Sequence, residues 1–344
     1  MTTVCLHVGC FKTGTSHLQR TMDANREALR DAGVLWPGST FGHQVNFARH
    51  VRSGRGQAGG AWTQVVQQID EWDGPMAVVS MEFLSLAGPD GVVRAVELLT
   101  KHRLKVVLTA RDLGRVVPAQ WQESVQHEHD WSYQEYLEGI TRSDGEPSKP
   151  RHHFWRRHNW PRILSTWREA SSDDVTLITV PPSGSPAGLL WSRFASVIGV
   201  DAERYVEPAV VNESLGAASA EVLRYAARSF NAGSYSTAAV LVKKRILAKS
   251  LMAARRSDEP VLVLPPEWHD WAQSRTERMV YDIRALSTSV VGDIADLFPR
   301  FVSPGEWVVT DPSSLPVEEL LAAAGDGLMG LCAELARSEG SRDA

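Results

Sequence analysis

Cysteine is scarce: Cys5, Cys10 and Cys332 are the only three in 344 residues. Their number is odd and their spacing suits no metal, which argues against a disulfide framework or a zinc module and for reduced thiols. Long apolar runs are missing as well, since no stretch approaches the ~20 residues that a membrane span needs. The amino terminus enters a strand pattern at once, with no basic n-region, apolar h-region or cleavage site. Secretion and membrane insertion are therefore unsupported, and the cytoplasm is the expected compartment. Basic excess is absent too: the formal net charge is −5, whereas a general nucleic-acid binder needs a strong basic footprint. No internal repeat is present.

What is there suits a large α/β core. Four apolar runs, Val4 to Val8, Met76 to Ser80, Lys105 to Thr109 and Val175 to Val180, are each followed by a helical pattern. That alternation predicts a doubly wound parallel sheet with helices on both faces. Ligands of such sheets sit at the carboxyl ends of the strands, so function is expected in four exits. These are Gly9 to Ser16, Met81-Glu82, Ala110-Arg111-Asp112 and Pro181-Pro182-Ser183-Gly184.

The first exit is the most informative. A buried strand turns through Lys12-Thr13-Gly14-Thr15-Ser16 into a helix carrying Leu18, Met22 and Leu29 at helical spacing. A helix start presents unsatisfied N–H groups and the positive end of a dipole; Lys12 adds a full charge and Thr13, Thr15 and Ser16 add hydroxyls. The bland alternative is a solvated helix cap, since Thr and Ser are common there. In an ordinary P-loop the lysine follows the second glycine and directly precedes the magnesium-binding hydroxyl. Here Lys12 precedes Gly14. Thr13 does follow the lysine, but the four-residue spacer between glycines is missing.

With that shifted lysine, the loop resembles the 5'-phosphosulfate loop of PAPS-dependent sulfotransferases. The resemblance spans roughly residues 4 to 215 and implies a P-loop-like three-layer αβα fold with a central parallel sheet, plus a largely helical C-terminal part. It also implies PAPS as co-substrate, no metal, and a soluble, bacterial-type enzyme. Lys12 would lie on the bridging oxygen, with Thr13, Gly14, Thr15 and Ser16 on the 5'-phosphate. Sulfotransferases place an arginine after a second strand to hold the 3'-phosphate; Arg111 matches in place and type, and its guanidinium fork suits a phosphate. The serine usual eight residues later is Ala119 here, leaving Gln120 or Ser124 to supply that contact. In small-molecule sulfotransferases a histidine after the intervening strand takes the acceptor's proton. Glu82 holds that place, and other members of the family use a glutamate.

Each of these residues also has a structural reading: Arg111 as an ion pair, Glu82 as a helix-start carboxylate, Lys12 as a surface lysine. His43 is the second candidate base, with His50 behind it, both in a Gly- and Ser-rich segment, 37–60, that reads as a lid. Basic and aromatic residues cluster from Arg151 to His158, which suits an anionic or aromatic acceptor or simply a solvated helix face. Trp36, Trp62, Trp121, Trp131 and Trp155 suit either sugar-stacking walls or core. The acceptor is expected to be a small molecule, glycolipid or carbohydrate.

The expected division is a core over 1–215, a mainly helical part over 216–337 and a tail over 338–344. Helices are predicted at 216–230, 236–256 and 267–287, with a polar linker at 141–150. Asn212-Glu213-Ser214-Leu215-Gly216 resembles a late sulfotransferase segment near the nucleotide, though an N-cap at Ser214 explains it equally. Lys243-Lys244-Arg245, Lys249 and Arg255-Arg256 form a basic helical stripe. The alternatives are a kinase or NTPase using magnesium-ATP, with Glu82 or Asp112 holding the metal, and a nucleotide-binding protein of this fold without turnover.

Overall fold

In a computed structural model of the chain, the residues described are 1–56, 59–127, 129–143, 145–169, 174–209, 215–232, 252–301 and 307–340. The first strands and helices are β1 (Thr3–His7), α1 (Thr15–Ala24), α2 (Arg26–Asp31), β2 (Val34–Leu35), α3 (Phe41–Ser53), α4 (Ala61–Asp70), β3 (Met76–Ser80) and α5 (Pro89–Leu98). They are followed by β4 (Arg103–Ala110), α6 (Leu113–Gln126), α7 (Tyr133–Thr141), α8 (Lys149–His158), α9 (Trp160–Arg168), β5 (Val175–Thr179) and α10 (Leu189–Ile198). Last come α11 (Ala217–Ala232), β6 (Val261–Leu262), α12 (His269–Ala285), β7 (Ser289–Val291), β8 (Val308–Val309) and α13 (Val317–Gly340).

Two compact units interleave along the chain. One comprises Met1–Leu113, His153–Val210 and Ala272–Arg300; the other comprises Gly114–His152, Val211–Trp271 and Phe301–Ala344.

The first unit is built on a six-stranded sheet in the order β2-β3-β1-β4-β5-β7, parallel throughout, with helices against it. The fold is thus α/β. All strand carboxyl ends share one edge. The chain moves from β1 to β3 on one side and then crosses to β4 on the other, so the order reverses at β1, and the ends of β1 and β4 are where open α/β sheets generally take a ligand. Cys5, Val78, Val107 and Ile178 from one sheet face pack with Leu18, Met22, Leu29, Trp191, Phe194 and Ile198 in a buried cluster. Burying each such side chain is worth about 1.5–3 kcal/mol.

The helical pattern after the first loop is two helices rather than one. Asn25 stands between α1 and α2 with φ −114 and ψ 24. Its amide donates to the Thr21 and Val206 carbonyls, each at 2.7 Å, and its oxygen accepts from Val206 N, so the break satisfies backbone groups of a distant segment. Residues 37–60, expected as a lid, hold the packed helix α3: Phe47, Ala48 and Val51 are fully buried, and α3 packs against α4, α5 and the 3-10 turn Glu82–Leu86. Apolar residues at i, i+1 and i+4 give a helix one continuous inner face. Strands β2 and β7, of two and three residues, have no counterpart among the four predicted runs.

In the second unit α11 packs against α13, and the parallel pair β6-β8 forms its small sheet. Trp121 is fully buried there, its indole donating to Trp131 O at 3.1 Å and its ring tilted against Tyr133. The Glu259 carboxylate accepts from Ser219 N (2.8 Å), Ser219 Oγ (2.5 Å) and Arg255 Nε (2.9 Å). Of the predicted C-terminal helices, 216–230 and 267–287 correspond to α11 and α12. Most of 236–256, the stripe from Lys243 to Lys249, Asn212 to Ser214 and the last four residues lie outside the described residues. Among the described residues no helix is long and apolar enough to cross a membrane.

The turn that follows the edge strand β7 is tied to α10 and to the end of β5 by a buried ion pair and its Thr179 partner. Arg193 Nη1 donates to Asp296 Oδ2 at 2.7 Å, and Thr179 Oγ1 donates to the same oxygen at 2.9 Å. Removing one partner of such a pair strands the other in a low-dielectric site. Asp296→Ala is expected to lower stability by about 3–5 kcal/mol in urea unfolding; a loss below about 1 kcal/mol would show the pair to be a surface-type contact.

Candidate functional site at the carboxyl edge of the sheet

Beneath the first loop lies a chain of polar side chains from the ends of three adjacent strands. Ser80 Oγ is 2.7 Å from His7 Nδ1, His7 Nε2 is 3.0 Å from Thr109 Oγ1, and Thr109 Oγ1 is 2.7 Å from Thr13 Oγ1. Thr13 Oγ1 donates to Cys10 O at 2.6 Å. Counting protons fixes the direction of every bond. Thr13 spends its proton on a carbonyl and must accept from Thr109, so Thr109 accepts from His7 Nε2–H, and Nδ1 accepts from Ser80. All four side chains are fully buried. Burial pulls His7 down to about 3 from its ordinary 6.5, so the imidazole is neutral and structural. Phe194 meets its ring edge-on at 5.2 Å.

This network anchors a loop of unusual backbone. Lys12 has φ 60 and Gly14 φ 87, both left-handed. For a lysine that conformation costs on the order of 1 kcal/mol and persists only where the surroundings hold it. At Gly14 a Cβ would also stand 2.4 Å from Leu190 Cδ2, and at Gly9 it would stand 2.6–2.8 Å from Thr109 Oγ1, His7 Nε2 and Thr15 Oγ1. Glycine is the residue that lets the loop lie this close to the strand ends. Alternating left-handed residues before a helix start turn successive N–H groups toward one concavity, a nest for an anion. The Thr13 hydroxyl, expected to face a ligand, is instead turned inward to hold the loop.

Thr15 Oγ1 is buried and has no hydrogen-bond partner among the described residues. A buried hydroxyl without a partner costs about 1–3 kcal/mol, which a ligand oxygen accepting its proton would relieve. Ser16, one step on, is exposed, and Lys12 is half-buried. From the exit of β4, Arg111 Nη1 donates to Lys12 O at 3.3 Å. The geometry thus brings together Lys12, Gly14, Thr15 and Arg111, ninety-nine residues apart at the extremes. Cationic and N–H donors converge with a hydroxyl, and that donor set fits a phosphate.

Glu82, half-buried, opens the 3-10 turn after β3. Met81 N donates to His7 O at 3.1 Å, and Phe83 packs at 6.0 Å from Phe11, which sets the Glu82 turn beside the Phe11-Lys12 step. Gln19 and Gln44 clamp the strand end below it, through Ser80 O at 2.7 Å and Ser80 N at 3.2 Å. His43 sits in the first turn of α3 with both ring nitrogens engaged, by Thr40 Oγ1 at 2.9 Å and Gln64 Oε1 at 2.7 Å. His50 stacks on Trp62 at 3.8 Å. Gln120 and Ser124 are buried on α6 in the second unit, where Ser124 Oγ donates to the Gln120 carbonyl at 2.7 Å. Trp36, Trp121 and Trp155 are core residues. Among the described residues no group of three or more His, Cys, Asp or Glu side chains could hold a metal ion.

Sequence reasoning missed His7. The signal was present: polar residues His7, Ser80 and Thr109 stand at or beside the ends of three mainly apolar runs. Only the strand register brings them side by side.

No family model matches the chain, and no curated protein matches it. Among solved structures the chain is similar to a sulfotransferase from Alicyclobacillus acidocaldarius over 73% of this chain and 98% of that one, at 14% identity and a TM-score of 0.39. The likeness is distant.

The neutral His7 has a pH consequence. Its folded value lies below its unfolded one, so below pH 6.5 the unfolded chain binds a proton that the folded chain refuses, and stability falls as pH drops toward about 3. Unfolding free energy measured over that range should decline more steeply in the wild type than in His7→Gln, by about one proton. Equal slopes would mean that His7 is protonated in the fold.

Proposed function

We propose that the chain is a PAPS-dependent sulfotransferase, moving a sulfuryl group from PAPS to a hydroxyl or amine of a small-molecule, lipid or carbohydrate acceptor by in-line displacement. One observation carries the reading: the partnerless buried Thr15 hydroxyl, on a loop whose left-handed turns at Lys12 and Gly14 aim donors into one concavity, beside Arg111. The lysine ahead of the glycine favours a phosphosulfate over magnesium-ATP. PAPS supplies the sulfuryl group and a 5'-phosphate on which negative charge grows as the bond to sulfur breaks.

The chain's own residues answer that charge. The amides of Gly14, Thr15 and Ser16 at the start of the ten-residue helix α1, together with the Thr15 hydroxyl, receive the 5'-phosphate. Lys12 meets the bridging oxygen, where a preorganised cation is worth most, because charge there exists chiefly in the transition state. Arg111 offers a guanidinium to the 3'-phosphate. Glu82 accepts the acceptor's proton. It is favoured over His43, whose Nε2–H is directed at Gln64 and whose Nδ1 lone pair takes the Thr40 hydroxyl. Thr13 acts through its backbone and by holding the loop. An assignment to the cytoplasm belongs with this reading.

Calorimetric titration with adenosine 3',5'-bisphosphate should give tight binding that Arg111→Ala weakens by roughly 10–100-fold. Preference for magnesium-ATP would overturn the reading in favour of a kinase or NTPase. In a transfer assay with labelled PAPS, Lys12→Ala should lower the rate constant by about 10²–10³ while bisphosphate still binds. Wild-type protein that binds the bisphosphate but neither transfers nor hydrolyses the sulfuryl group would be a nucleotide-binding protein without turnover.

A further inference from the structure

One charged surface of the first unit is not used by the donor site. Arg49 and Arg52 lie on α3, Arg55 just beyond it, Arg156 and Arg157 on α8 and Arg162 in the first turn of α9. They are neighbours in space. Arg162 Nη2 donates to Arg156 O at 2.9 Å. The Arg52 guanidinium is drawn below its ordinary value by desolvation and then by the charges of Arg156, Arg49 and Arg55. Arg162 is drawn down likewise by desolvation and by Arg156. Like charges so placed oppose one another, and an anion among them relieves that opposition.

The surface adjoins the proposed acceptor side. The helix α3 packs against the turn that begins at Glu82, and Trp167 of α9 donates to Leu84 O in that turn at 3.3 Å. Arg94 of α5 donates to Val51 O at 2.5 Å, holding the end of α3 in place. At the loop itself, Arg157 lies over the Phe11 ring at 5.0 Å, next to Lys12. Beside Arg55 stands the stacked pair His50 and Trp62, with the Trp62 ring 3.0 Å from where a Gly56 Cβ would sit. A flat aromatic face next to guanidinium groups suits a sugar ring bearing acidic substituents.

We infer that these arginines dock an acidic oligosaccharide, whose carboxylate or sulfate groups they bind while one of its hydroxyls reaches Glu82. The inference rests on the sulfotransfer reading for the fate of that hydroxyl, but the docking surface can be tested separately. A chain of net charge −5 has no general affinity for polyanions, so binding must come from this local concentration.

The test is fluorescence anisotropy with labelled hexagalacturonate, with neutral maltohexaose as comparison, on the full chain. Hexagalacturonate should bind and maltohexaose should not. Arg52→Glu/Arg156→Glu should weaken hexagalacturonate roughly tenfold or more. Arg278→Glu/Arg284→Glu, with the same change in net charge on exposed positions of α12, should change it by no more than about twofold. Arg49→Glu/Arg52→Glu repeats the test within α3 should the first variant fail to fold. Equal loss in the α3 and α12 variants, no loss in either, or equal binding of the neutral sugar would overturn the inference. Bisphosphate titration of the same proteins separates the two readings. If the wild type fails to bind bisphosphate while the loss of hexagalacturonate localises to Arg52 and Arg156, the docking surface stands and the donor reading falls.

Discussion

The loop depends on one buried relay, from Ser80 through His7 and Thr109 to Thr13 and the Cys10 carbonyl. Each bond has its direction forced by the next, because a hydroxyl that gives its single proton to a carbonyl can only accept from its other neighbour. The relay therefore has one arrangement rather than several, and its histidine has one tautomer. Breaking any member leaves a buried polar atom without a partner, at a cost of about 1–3 kcal/mol, which exceeds the net gain from a typical single hydrogen bond. A left-handed lysine can persist above such a base, where a mobile loop would relax away from it.

That rigidity matters for the chemistry proposed. Donors stabilise a developing charge best when they need not reorganise as the charge appears. The inward turn of the Thr13 hydroxyl, which removes one donor from the ligand, is what holds the others. Gly9 and Gly14 contribute by what they lack: a side chain at either would press on the relay or on Leu190. Among the described residues the loop thus combines a partnerless hydroxyl at Thr15 with a fully engaged one at Thr13, two residues before it.

The sheet was legible because four of its strands are mainly apolar, and a parallel sheet buried on both faces demands that composition. Strands β2 and β7 were not, being of two and three residues and too short for any period to show. Lys12, Thr15 and Arg111 could be named from sequence because a strand exit followed by a helix start is a local signal. The relay could not be, since register decides whether His7 meets Ser80 or a neighbour. The helix within 37–60 was hidden for a related reason: glycine and serine at the rims of the segment outweighed Phe47, Ala48 and Val51, which bury one face of α3. The arginines of α3, α8 and α9 are unremarkable one at a time, and only the fold brings Arg52 within reach of the Arg156 charge and Arg162 onto the Arg156 carbonyl.

Charge sign over the molecule and charge sign at this edge are opposed. A chain with net charge −5 repels an anion at long range, while Arg49, Arg52, Arg156 and Arg162 attract it within a screening length of about 8 Å at physiological salt. On the proposed reading, an acidic oligosaccharide that meets these arginines along α3 lies beside the Glu82 turn, against which α3 packs. Under the proposed reading, such local attraction would serve orientation, because the reacting oxygen must lie in line with the bond that breaks.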